Sequence, residues 1–149
     1  MLKVEPTGKE AKLQAGNFIY ELDNEGYITY ANRVFVNFTG FDKKELIGAF
    51  YAEILDPKMP RTLFTCMRTS TANGETWKGY SKNLKSNGDF YWSIAYVSVK
   101  PEKDGYIAMY KPVKKSSIDE IAKAYEEIYN LEQEGKDTTG LIKNIIIGE

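Results

Sequence analysis

An α+β fold with an antiparallel sheet is the architecture that this sequence predicts, and three observations support it. Segments of strand composition occur at residues 18–22 and 27–30, joined by a turn at 23–26. Three further strand segments follow residue 76. Between the two groups, apolar residues recur at helical spacing. Because short turns join neighbouring strands, the sheet should be antiparallel, with the helical block packed against it.

The longest predicted strands lie in residues 76–99, which contain both tryptophans of the chain. The two arms of this hairpin meet at Asn87 and Gly88, a pair that favours a tight turn because both residue types tolerate a positive φ. Residues 106–110 form the last predicted strand, after a loop that contains Pro and Asp-Gly turn signals.

Side chains alternate across a strand, which gives this hairpin two different faces. One face is small and partly polar, and it leaves room for a ligand. Its residues are Gly79, Ser81, Asn83, Ser93 and Ala95. The other face is apolar and needs cover from a helix or a second subunit. Its residues are Trp92, Ile94 and Tyr96. A twisted sheet that makes room for a neighbouring helix would give the same pattern, so both interpretations stay open.

Capping residues and apolar stripes predict the first helix. Asn32 should cap a helix whose apolar stripe includes Val34, Phe35 and Phe38. This helix should end at Gly40, because glycine is favoured just past a helix end.

Three short segments continue the helical block. Asp42, with Glu45 three residues later, has the spacing of a capping box. Residues 49–55 predict a short helix or turn. A longer helix at residues 61–71 should begin after Pro60, which suits a helix start.

The chain divides into four predicted segments. Residues 1–16 form a polar lead-in, flexible or helical from Gly8 to Ala15, and residues 17–113 form the domain. Residues 114–134 form an amphipathic helix that starts at Ser117, and residues 135–149 form a tail. The apolar stripe of the helix consists of Ile118, Ile121, Ala122, Tyr125, Ile128 and Tyr129.

Composition excludes several classes of function. The net charge is -1, so the chain lacks the basic excess expected for nucleic-acid binding. It contains no histidine, which excludes histidine-ligated haem and Ser-His-Asp catalysis. It contains one cysteine, which excludes a cysteine-based zinc site, and we expect no metal. No apolar run is long enough for membrane insertion, and we expect a cytoplasmic location. The charged residues Glu53, Asp56 and Lys58 should be solvated, so we expect no enzymatic activity.

Several motifs follow one another at a recognisable spacing. The first group reads Tyr30-Ala31-Asn32-Arg33-Val34-Phe35, Thr39-Gly40-Phe41 and Glu45-Leu46-Ile47-Gly48. The second group reads Pro57-Lys58-Met59-Pro60, Trp77-Lys78-Gly79, Lys82-Asn83, Asn87-Gly88-Asp89 and Tyr91-Trp92. Together they resemble PAS sensor domains of the aerotaxis-receptor type, over residues 17 to about 113.

The resemblance implies a PAS fold, a five-stranded antiparallel sheet of order 2-1-5-4-3 with helices that form a ligand pocket over one face. Aerotaxis-type members hold FAD non-covalently, sense redox state and signal to a chemoreceptor. In related LOV photoreceptors, two asparagines of one hairpin bind the flavin ring. The first matches Asn83 and the second falls on Ser93, whereas their adduct-forming cysteine has no counterpart here.

The resemblance and the polar hairpin face together give seven candidate cofactor-binding residues. They are Asn32, Lys58, Trp77, Gly79, Ser81, Asn83 and Ser93. For Trp77, core packing and stacking on a ring are both open interpretations. Residues 55–58 depart from the family pattern, since Leu-Asp stands where the family has Arg-His, but Lys58 still offers a point charge for a pyrophosphate.

Two hypotheses of function follow. The first is a redox or energy sensor that binds FAD and, with no output segment in these 149 residues, signals in trans to a chemoreceptor-type partner. The alternative is a cofactor-free interaction module that dimerises through Trp92, Ile94 and Tyr96 and the flanking helices.

Overall fold

Five strands form one antiparallel sheet in the order β2-β1-β5-β4-β3, as expected from the resemblance. The computed structural model describes residues 2–13, 15–113 and 118–141. The strands are β1 (Phe18–Leu22), β2 (Ile28–Ala31), β3 (Trp77–Leu84), β4 (Phe90–Val99) and β5 (Tyr106–Lys111). The central position of β5, the last strand in sequence, joins the N-terminal hairpin to the C-terminal one.

Short helices cover one face of the sheet, which we call the inner face. They are α1 (Arg33–Thr39), α2 (Lys43–Leu46), a 3₁₀ helix (Tyr51–Ile54) and α3 (Arg61–Ala72). The α+β prediction is therefore confirmed. A fourth α-helix, α4 (Ile118–Gln133), lies on the opposite, outer face. The predicted helix start at Ser117 and the tail beyond residue 141 lie outside the described residues.

The caps of α1 form as the sequence predicts. The Asn32 side chain accepts a hydrogen bond from the Phe35 amide at 3.1 Å, and Gly40 ends the helix at a φ of 77°. Phe35 is fully buried, but Val34 is 47% exposed, so its predicted place in the apolar stripe is wrong. Seven residues make fewer than two full turns, and the inward side of α1 is accordingly narrow.

The turn between β3 and β4 differs from the tight turn that the sequence predicts, in which both Asn87 and Gly88 would have a positive φ. Gly88 alone adopts a positive φ, of 93°, and its amide bonds to the Lys85 carbonyl at 2.9 Å. Asn87 keeps a negative φ and instead accepts a hydrogen bond from the Asp89 amide through its side chain at 2.9 Å. The predicted alternation of faces is nevertheless unchanged, because the register pairs Ser81 with Ser93.

Residues 2–13 contain no helix, so the short helix considered for the lead-in does not form in them, and residues 7–11 lie along this hairpin. The Thr7 amide donates to the Gly88 carbonyl at 3.0 Å, and the Ala11 amide donates to the Phe90 carbonyl at 2.7 Å. The lead-in therefore stabilises the hairpin with backbone hydrogen bonds from outside the sheet.

The outer face of the sheet is covered by α4. The Tyr125 hydroxyl donates to the Tyr80 carbonyl at 2.8 Å, and the Tyr125 ring lies 5.7 Å from that of Trp92, centroid to centroid. Trp92 and Ile94 are buried, whereas Tyr96 remains partly exposed. This chain's own helix thus covers Trp92, one of the three residues of the apolar row.

Gly88→Ala should destabilise the protein more than Gly48→Ala. Both glycines have a φ of +93°, so alanine is strained by about 1 kcal/mol at either position. A Cβ at Gly48 meets nothing within 4 Å, but at Gly88 it would lie 2.0 Å from the Glu5 carbonyl oxygen. Urea unfolding should show an additional loss of about 1 kcal/mol or more for Gly88→Ala, with faster tryptic cleavage within residues 2–13. Equal losses of unfolding free energy for the two variants would contradict the close approach of Gly88 to the Glu5 carbonyl.

Candidate functional site

A cluster of buried polar side chains lies on the inner face of β3 and β4. The register pairs Gly79 with Ala95, Ser81 with Ser93, and Asn83 with Tyr91, so the small and polar residues share this face. Asn83 and Ser93 have no solvent-exposed surface. Buried amides and hydroxyls require hydrogen-bond partners, because burial without one is costly.

Asn83 forms the centre of this cluster. The Ser81 hydroxyl donates to its Oδ1 at 2.5 Å, and its Nδ2 donates to the Ser93 hydroxyl at 3.0 Å. Nδ2 also lies 3.3 Å from the Ser81 carbonyl oxygen and 3.4 Å from that of Tyr91. The amide therefore has partners on both sides. The two carbonyl oxygens only accept, so they favour Nδ2 on their side, whereas the Ser81 and Ser93 hydroxyls can rotate to suit either orientation.

Three buried tyrosines extend the polar surface of the inner face. The Tyr20 and Tyr110 hydroxyls hydrogen-bond to each other at 2.7 Å. Burial raises the pKa of Tyr110 to about 12, although hydrogen bonds from Tyr20 and Ser81 oppose the shift. Burial likewise raises the pKa of Tyr20 and of Tyr91 well above 10. All three side chains are therefore neutral at physiological pH, and one proton of the Tyr20–Tyr110 pair is used in their mutual hydrogen bond.

The Tyr91 hydroxyl has no hydrogen-bond partner among the described residues, although the side chain is fully buried. Two aromatic rings pack against the Tyr91 ring, whose centroid lies 5.0 Å from that of Phe38 and 6.2 Å from that of Phe18. A buried hydroxyl without a partner costs about 1 to 3 kcal/mol. Such groups are uncommon in native structures and call for a specific explanation.

A small cavity separates the inner face from α3. Its volume is about 40 Å³, and apolar side chains make up most of its wall. The lining residues are Tyr20, Leu22, Tyr51, Leu55, Met59, Leu63, Phe64, Met67, Trp77, Ser81, Ala95, Val97, Ala108 and Tyr110. This volume holds about one water molecule, whereas sites for drug-sized ligands have about 300–1,000 Å³.

Trp77 lies flat against its own strand and forms one end of this cavity. A Cβ built on Gly79 would lie 2.2 Å from two atoms of the indole ring. Glycine is therefore required at position 79 for this indole position, in which Trp77 is partly buried and packs against the core.

The fold and this site can be compared with known proteins. The chain is 32% identical over 125 residues to the aerotaxis receptor of Escherichia coli (strain K12), an alignment that covers 84% of this chain. The chain carries a PAS domain of the aerotaxis-receptor type. The alignment spans 24% of the receptor's length. The sequence matches no protein-family model.

Solved structures show the same fold. A PAS domain from Colwellia psychrerythraea has a TM-score of 0.60 at 18% identity, over 66% of this chain and 87% of that domain. A light-oxygen-voltage domain studied with a flavin analogue has a TM-score of 0.58 at 20% identity, over 81% of this chain and 89% of that one. At these identities the likeness concerns the fold alone.

The PAS domain brings together five of the seven predicted site residues. Trp77 and Ser81 line the cavity, Gly79 supports the indole, and Asn83 and Ser93 form the adjoining polar cluster.

Asn32 and Lys58 lie apart from this cavity, and their predicted role in cofactor binding stays a prediction. Both ends of the Asn32 amide are used at the start of α1, where Nδ2 donates to the Asn17 carbonyl at 3.0 Å. Lys58 is exposed and borders a different space, a groove of about 280 Å³ on the outer side, between the loop at 56–59 and α4.

The tyrosines of the pocket were not among the predicted site residues. Alternation along β1 and β5 places Tyr20 and Tyr110 on the inner face, and this signal was present in the sequence. Their contact depends on the pairing of β1 with β5 across most of the chain, which alternation within one strand does not specify.

Tyr91→Phe should leave the PAS domain as stable as before or stabilise it by about 1 kcal/mol, because it removes an unpartnered buried hydroxyl. Tyr110→Phe removes the same atom from a bonded pair and should cost about 1 to 2 kcal/mol, since it leaves the Tyr20 hydroxyl unpaired. Urea unfolding of the two variants measures the contrast. A larger loss for Tyr91→Phe would show that its hydroxyl has a partner in solution.

Proposed function

We propose that this chain is a cytoplasmic redox or energy sensor that binds FAD non-covalently between the inner sheet face and α3. It has no enzymatic activity and passes its signal in trans to a chemoreceptor-type partner. The observation that carries this function is the Ser81, Asn83 and Ser93 cluster beside the cavity. The likeness to the aerotaxis receptor supports the sensory role.

The chemistry of the cluster suits the edge of a flavin ring. That edge presents carbonyl oxygens and N–H groups in alternation. An amide and two hydroxyls match both kinds of group, because the amide donates and accepts and each hydroxyl rotates to do either. The apolar wall opposite, which includes Leu63, Phe64 and Met67, suits the faces of a planar ring.

The volume of the cavity means that binding requires an opening. About 40 Å³ is far below the size of a ligand site, so α3 must move outward and the Trp77 indole must rotate to admit a three-ring system. Met59 and Met67 make this wall adaptable, because methionine is unbranched and changes rotamer easily. The apparent affinity for FAD would then equal the affinity of the open form multiplied by the fraction of molecules that are open.

A bound flavin would supply reversible reduction coupled to protonation at the ring edge. The Asn83 amide would then face a donor where an acceptor had been, and it would reorient together with the Ser81 and Ser93 hydroxyls. Because these residues belong to β3 and β4, the change would bias the position of the hairpin. A shift between two such arrangements is the usual form of a sensory switch.

The alternative is a cofactor-free interaction module, and the small cavity favours it. In that case the side chains of Trp77 and its neighbours simply fill the core. A homodimer through the outer face would then use α4 and the exposed part of Tyr96, since Trp92 packs against Tyr125 of α4 and Ile94 is buried. Lys78 and Lys111 flank the Tyr96 ring at 5.6 and 5.4 Å and would lie at the rim of that contact.

The absorption spectrum of the freshly purified protein should show the two flavin bands, with FAD released on heating. Asn83→Ala should weaken FAD binding about tenfold, the effect of losing one or two hydrogen bonds. Asn130→Ala, which removes the same side chain from the outer groove, is the matched control and should leave the affinity unchanged.

A colourless protein that takes up no added FAD would contradict the flavin proposal and leave the interaction module. If Asn130→Ala weakened binding and Asn83→Ala did not, the ligand would lie in the outer groove instead.

A further inference from the structure

Glu132, near the end of α4, caps the start of α3 from 71 residues away. Its Oε1 accepts from the Arg61 amide at 2.9 Å. Its Oε2 accepts from the Thr62 amide at 2.9 Å and from the Thr62 hydroxyl at 2.6 Å. The Thr62 hydroxyl also contacts that of Thr138, which follows the end of α4.

The Glu132 carboxylate provides the hydrogen-bond acceptor that the residues just before α3 lack. The first amides of a helix have no partner within it, and a negative charge there is favourable. Pro60, the residue before α3, offers no side-chain cap. The hydrogen bonds that complete the first turn of α3 therefore depend on the position of α4.

The two helices lie on opposite faces of the sheet. Directly after its capped turn, α3 contributes Leu63, Phe64 and Met67 to the wall of the cavity. On the outer face, Tyr125 fixes the middle of α4 to the Tyr80 carbonyl at 2.8 Å. Glu132 thus joins the pocket wall to the outer helix around the edge strand β3.

We infer that Glu132 is a positioning residue that couples the opening of the inner pocket to the docking of α4 on the outer face. Outward movement of α3 separates its first turn from the carboxylate and weakens the hold on α4. The coupling is reciprocal, so loss of α4 from the sheet also loosens α3. The part of this inference that concerns a bound ligand rests on the proposed function. The coupling between α3 and α4 does not depend on that function.

Hydrogen exchange of the α4 amides tests the coupling without any ligand. Phe64→Leu disturbs the pocket side of α3, and we expect it to speed exchange in α4 about threefold or more in the wild-type background. Glu132→Ala alone should speed it about tenfold, through loss of hydrogen bonds to a charged group. In the Glu132→Ala background, Phe64→Leu should have no further effect on α4. Exchange rates in β5 serve as the reference for global unfolding.

Two controls separate coupling from a general loss of stability. Glu127→Ala makes the same change at an exposed position of α4 that forms no hydrogen bond or ion pair within the described residues, and it should leave the coupling intact. Thr62→Val removes the hydroxyl contacts while leaving α4 unaltered, and it should reduce the response to Phe64→Leu. The inference is overturned if Phe64→Leu does not speed exchange in α4 of the wild type. It is also overturned if Phe64→Leu speeds this exchange equally with and without Glu132.

Added FAD distinguishes this inference from the proposed function. If FAD binds, it should speed exchange in α4 of the wild type and not of Glu132→Ala; an equal change in both overturns the coupling. If FAD does not bind, the proposed ligand is wrong, and the Phe64→Leu comparison alone decides whether α3 and α4 are coupled.

Discussion

The hydrogen bonds of the Asn83 amide are the constraint on which the rest of the structure depends. A fully buried amide is tolerated only when both its donors and its acceptor are satisfied. Here that requires Ser81 and Ser93 to stand opposite each other, which fixes the register of β3 against β4. If β3 slipped by one residue against β4, Ser81 and Asn83 would turn to the outer face while Ser93 stayed on the inner face, and the cluster would be lost.

The edge of β3 is closed by the segment before α3. The Asp56 amide donates to the Lys82 carbonyl at 2.9 Å, and the Lys82 amide donates to the sulfur of Met59 at 3.4 Å. The Asp56 carboxylate also lies 3.4 Å from the Lys82 ammonium. An edge strand with unpaired backbone groups invites association with other chains, and this segment prevents it locally. It also holds the start of α3 next to the polar cluster.

Local sequence patterns predicted the parts of this fold that local chemistry determines. The two faces of the hairpin follow from strand alternation, and the start of α1 follows from the capping capacity of Asn32. The same capping role uses both ends of the Asn32 amide, which is why this residue does not reach the pocket. The strand order followed from the resemblance to PAS domains.

Contacts between distant segments were not predictable in this way. Nothing near Glu132 in the sequence indicates that it caps a helix 71 residues earlier. The exposed position of Val34 and the path of the lead-in along the hairpin likewise depend on what packs beside them. The cavity volume is set by how several large side chains pack together, and composition specifies none of these arrangements.

The most direct test of whether the inner face binds FAD is nuclear magnetic resonance of the Asn83 side-chain amide during titration with FAD. The account predicts that its two Nδ2 proton signals shift with increasing FAD, together with the backbone amides of Ser81 and Ser93. Shifts confined to Lys58 and Asn130 in the outer groove, or no shift at saturating FAD, would contradict it.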